Sequence, residues 1–76
     1  MIKELNFVVL TRNIPENSLV LGDVGTVVHC YPHEKAYEVE FMTGLGKTLA
    51  VLTLMPSDIR PVAGEILHVR SVLQPT

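Results

Sequence analysis

The stretch that most constrains this chain is Ala36-Tyr37-Glu38-Val39-Glu40-Phe41. Its apolar and polar residues alternate strictly, and successive side chains of an extended strand point to opposite faces. A helical period would scatter Tyr37, Val39 and Phe41 around a cylinder. The residues therefore predict a strand with those three side chains in a core and Glu38 and Glu40 towards water. Such a strand needs neighbours to cover its apolar face.

The neighbours are legible on both sides. Leu5 to Leu10 (LNFVVL) and Thr26 to Tyr31 (TVVHCY) are β-branched and aromatic and read as strands. Thr48 to Leu54 (TLAVLTL) is apolar at nearly every position, which predicts a strand covered on both faces. Arg60-Pro61-Val62 reads as a brief last strand, with Pro61 suited to an edge where no ladder donor is missed. Between them lie polar or glycine-bearing connections: Thr11 to Ser18, the turn Gly22-Asp23-Val24-Gly25, Pro32 to Lys35, and Thr43 to Gly46. The long Thr11 to Ser18 loop is expected to cross an edge of the sheet. Pro56-Ser57-Asp58-Ile59 fits a single short helical turn. The expectation is an all-β domain over residues 1–62, a small five-stranded barrel closed on itself to remove exposed edges.

Residues 63–76 form a C-terminal extension. Ile66, Val69, Val72 and Leu73 recur at helix-like spacing, but Glu65 to Leu73 is too short to hold a helix alone in water. The segment is expected to dock on the barrel or on another chain, and the sequence leaves helix or strand open. These four residues are the candidate partner-binding set, with an exposed edge near Leu5 to Leu10 as a second contact.

Size makes a partner attractive. The chain has 76 residues, of which 47% are hydrophobic. A domain of this size buries about 60% of the surface its unfolded chain exposes, and its core supplies only ~3–5 kcal/mol. Apolar surface left uncovered is then expected to be buried by a second copy or another small protein, making a homo-oligomer or a hetero-complex.

Composition bounds the alternatives. Net charge is −2, which argues against a general phosphate binder. Nucleic acid is the rival reading, with Lys35, Lys47 and Arg60 as the contacts and Arg12, Arg70, Tyr31 and Tyr37 as further candidates, against which Tyr37 belongs to the buried face and there is no tryptophan. Gly46-Lys47-Thr48 resembles the end of a phosphate-binding loop, but the first glycine of that motif would fall on Phe41, and a strand follows where a helix is required. Cys30 has no second cysteine to pair with. His29, Cys30 and His33 suggest a metal, yet His29 and Cys30 point to opposite faces, so no cofactor or metal is expected. Cys30 in mid-strand reads as an inert small hydrophobe, and Glu34, Glu38 and Glu40 read as charges on a solvated face, so no enzymatic activity is expected. The first residues lack a signal-peptide pattern, and no apolar run approaches membrane-spanning length, so a cytoplasmic protein is expected.

Two pieces, Gly22-Asp23-Val24-Gly25-Thr26-Val27-Val28 and Ala36-Tyr37-Glu38-Val39-Glu40-Phe41, resemble the SH3-like barrel families, and the first is distantly similar to KOW-type barrels of ribosomal and elongation proteins. With Val8 to Pro15, Ala50 to Leu54, Ile59 to Val62 and Glu65 to Arg70, the chain is similar to a family of small bacterial proteins catalogued as a domain of unknown function. That resemblance implies the SH3-like barrel and a bacterial cytoplasmic setting, and no activity.

Overall fold

The computed structural model describes residues 2–62. Five strands follow in chain order: β1 (Phe7–Leu10), β2 (Val24–Cys30), β3 (Tyr37–Met42), β4 (Thr48–Leu54) and β5 (Ile59–Pro61). Pro15–Asn17, Pro32–Glu34 and Pro56–Asp58 each form a short helical turn. All five strands join one antiparallel sheet in the order β4-β3-β2-β1-β5.

The alternation in β3 sets the core. Tyr37, Val39 and Phe41 are buried, while Glu38 and Glu40 lie on the opposite face. They pack with Val8, Leu10, Ile14, Leu19, Val27, Leu54 and Ile59. Each fully buried side chain of this kind contributes about 1.5–3 kcal/mol relative to exposure. The β3–β4 ladder runs from Tyr37 opposite Leu54 to Met42 opposite Thr48, so Ala50, Leu52 and Leu54 share the inner face with β3.

Four expectations are corrected. First, the sheet is open: among the described residues β4 and β5 do not pair, so the closed barrel is not formed. Second, β4 is an edge strand and largely exposed, with Leu49 at 57% and Val51 at 51%. The strand buried from both sides is β1, where Val8 and Leu10 enter the core and Val9, facing the other way, is also buried. An apolar run cannot distinguish these two cases, because burial depends on which strands flank it. Third, the Leu5 to Leu10 region is not an edge, because β1 lies between β2 and β5. Fourth, Gly25 belongs to β2 and not to the preceding turn; the turn ends at Gly22, whose φ of 94° needs a residue without Cβ.

The long β1–β2 connection is better built than a crossing loop. Ile14 and Leu19 form a bridge and both drop into the core. Asn13 Oδ1 accepts from the Leu21 N–H at 2.8 Å, and Asp23 Oδ2 from the Val20 N–H at 2.9 Å. On the other side Thr11 Oγ1 donates to the Ser57 carbonyl at 2.7 Å, and Arg12 pairs with Asp58 at 2.8 Å. These contacts fix the turn that delivers β5 to β1.

Candidate functional site

The outer face of β2, β3 and β4 carries a polar row ending at the β4 edge. His29 of β2, Glu38 of β3 and Thr53 of β4 stand side by side through the two registers. A bulge between Val27 and His29 inserts Val28, so Val28 and His29 are both exposed. Thr53 Oγ1 donates a short hydrogen bond to Glu38 Oε2, and Tyr31 Oη donates to the same oxygen at 2.7 Å. The His29 and Tyr31 rings meet edge to face with centroids 4.8 Å apart. One row along, Thr48 Oγ1 donates to Glu40 Oε2 at 2.5 Å. Both carboxylates are thus drawn from β3 towards the edge strand.

These hydroxyls tune the charge. The Thr53 hydrogen bond, then the Tyr31 one, holds Glu38 below the usual carboxylate range. The same Glu38 bond, helped by burial, raises the Tyr31 phenol. Glu38 is therefore a fixed anion at neutral pH. Among the described residues neither Glu38 nor Glu40 makes an ion pair with Lys or Arg; the pairs present are Arg12 with Asp58 and His29 with Glu4.

Beside this row lies an open apolar hollow of about 500 Å³, lined by Tyr31, Pro32, His33, Lys35, Ala36 and Thr53. Its rim is the β2–β3 connection, where His33 and Glu34 hold consecutive left-handed conformations at φ 61° and 55°. Two such non-glycine residues cost on the order of 1–3 kcal/mol each and are found where the surrounding structure over-determines a conformation.

A family model described as "Domain of unknown function (DUF4926)" matches residues 4–61. The chain belongs to that family. No curated protein and no solved structure matches it significantly. The DUF4926 match spans every strand of the sheet and both parts of the site, the polar row and the hollow.

Within this DUF4926 chain the site residues expected from sequence separate into groups. Ile66, Val69, Val72 and Leu73 lie outside the described residues. Lys35 and Lys47 are exposed, but at opposite ends of the β3–β4 hairpin, and Arg60 sits on β5 at the far edge of the sheet. They form no common strip, and Glu38 and Glu40 stand between the two lysines. Arg12 is engaged by Asp58, and Tyr37 is in the core. Among the described residues no three His, Cys, Asp or Glu side chains gather to hold a metal. Cys30 is half-buried, with its Sγ 3.8 Å from the Ile2 carbonyl. No helix among the described residues is long and apolar enough to cross a membrane.

What sequence reading missed is the β4 edge itself. Leu45 at the hairpin tip, Leu49 and Val51 on the strand, and Met55 just after it are all exposed. The strand contains neither charge nor proline over its seven residues. The signal was present in TLAVLTL, but it reads equally as a buried strand until the strand order is known.

Proposed function

We propose that this protein is a non-enzymatic protein-binding module that captures a partner along β4. The observation that carries the reading is the exposure of an uncharged, apolar, seven-residue edge strand. Such an edge presents unpaired backbone donors and acceptors in a row, and soluble proteins ordinarily blunt it with Lys, Pro or a bulge unless another strand adds there. Backbone hydrogen bonds would supply affinity, and side chains alternating over the outer face would supply selection. The bulge opposite Phe41 and Met42 lies at the start of β4 and leaves Ala50 to Leu54 in regular register for pairing.

The polar groups that converge support binding over catalysis. Tyr31 and Thr53 both donate to one carboxylate, which fixes a charge and activates no nucleophile. The strand order, with a helical turn delivering a short last strand beside β1, supports an SH3-like architecture that has opened between β4 and β5. A bacterial cytoplasmic setting completes the proposal.

A photo-crosslinking residue placed at Val51 tests it. Under illumination in lysate, the expected adducts are removed by protease and resist nuclease, while the same probe at Arg60 gives few. Nuclease-sensitive adducts would replace this reading with the nucleic-acid one, and equal labelling from both positions would overturn capture along β4.

A further inference from the structure

The β4 edge has a sign as well as a shape. Glu38 and Glu40 lean onto Thr53 and Thr48, so their negative charge overhangs the strand to which a partner would add. The Thr53 and Tyr31 hydroxyls both donate to Glu38, which favours its ionised form. Among the described residues no Lys or Arg pairs with either group, and His29 stands opposite Glu38 on the side away from β4. An added strand would lie two strand spacings from β3, about 9.6 Å. A long side chain on its outer face can span that gap, meeting a glutamate that already reaches halfway.

We infer that the occupant of the β4 edge is a basic extended segment, with Lys or Arg at alternate positions on the face it shares with Glu38 and Glu40. This deepens the edge-binding reading above and rests on it. The apolar hollow at the Thr53 end of the strand receives an apolar side chain or alkyl stem from the end of that segment against the Tyr31 ring, while Lys35 in its lining keeps a charged head outside. A second copy fits less well, because pairing two β4 edges brings two pairs of carboxylates onto one face with nothing between them to offset the charge. A nucleic-acid backbone fits worse, since it carries the same sign as the overhang.

The test uses the full chain and labelled synthetic peptides read by fluorescence anisotropy at low salt. The probes are a short peptide of alternating Lys and Val, its Glu-Val and Thr-Val counterparts, and two Lys-Val peptides N-methylated at every Lys or at every Val. The Lys-Val peptide is expected to bind, to weaken with added salt, and to lose about fivefold in affinity for Glu38→Gln/Glu40→Gln. The glutamines keep acceptors for Thr48, Thr53 and Tyr31, and an unchanged thermal melt shows that the variant is folded. The Glu-Val peptide is expected not to bind. Equal binding of Lys-Val and Glu-Val peptides, or no loss in the double variant, overturns the basic occupant. If the Thr-Val peptide then binds and N-methylation abolishes binding, the edge reading stands without it. Binding that survives N-methylation in both registers overturns the edge reading instead, and failure of all the peptides overturns both. A stable dimer by sedimentation that excludes the peptides assigns the edge to a second copy and likewise overturns the inference.

Discussion

Gly25 of β2 lies so close to Val39 of β3 that a Cβ added to it would stand 2.6 Å from Val39 Cγ1, with Phe41 Cε1 at 2.8 Å. Two branched or aromatic side chains of the core therefore use the space that any other residue at position 25 would fill. Gly25→Ala is expected to destabilise the protein by about 1–3 kcal/mol through overpacking. Urea denaturation of Gly25→Ala, Val39→Ala and the double variant checks it. The double variant should lose less than the sum of the singles, because Val39→Ala frees the colliding methyl. Strict additivity would show that the close approach carries no energy.

Acid stability follows from Arg12 and Asp58. The Arg12 guanidinium hydrogen bond is the main cause holding the Asp58 carboxyl below its ordinary range, and the Met55 N–H adds to it at 2.9 Å on Oδ2. A carboxyl with a lowered folded pKa binds its proton less readily in the native than in the unfolded state. Its contribution is fully present above the unfolded value, about 3.9, and is lost as pH falls through the folded one. Tm should therefore fall as pH drops below about 4, and Asp58→Asn should flatten that limb. Glu38 acts in the same direction, so the difference between wild type and Asp58→Asn is the quantity to measure. An acid limb equally steep in the variant would remove Asp58 from the account.

The exposed edge predicts its own antidote. Val51→Lys places a charge in the middle of β4 on the outer face, the usual guard on a free edge. Val51 is half-exposed, so thermodynamic stability should change by no more than about 0.5 kcal/mol. Binding of the Lys-Val peptide should drop several-fold, measured by fluorescence anisotropy. Unchanged association would place the sticky surface elsewhere.

Glu34 tests the hollow. Glu34→Gly relieves a left-handed conformation at φ 55° and should be neutral or stabilising by about 1 kcal/mol. If the strain holds the rim of the hollow in a binding shape, the same change should weaken Lys-Val peptide binding while raising Tm. A variant with lower Tm would mean that Glu34 makes stabilising contacts that outweigh the strain.

Much of this protein was decided by its sequence. The alternation of β3 could be satisfied by a single arrangement of faces, so Tyr37, Val39 and Phe41 were bound to point inward wherever their neighbours came from. The span of β4 and the turns at Gly22 and Gly46 were equally local matters, set by β-forming side chains and by positive φ at residues without Cβ. Strand order was not local. Whether TLAVLTL is central or marginal, whether Val9 is covered, whether the sheet closes, and whether Gly25 serves a turn or a tight packing contact all depend on which strands meet. The polar row was hidden for the same reason: Tyr31, Glu38 and Thr53 are seven and fifteen residues apart about Glu38, and only the β2–β3 and β3–β4 registers bring their oxygens together. Periodicity reports which way a side chain faces, because that is set by its own backbone; tertiary structure decides what it faces.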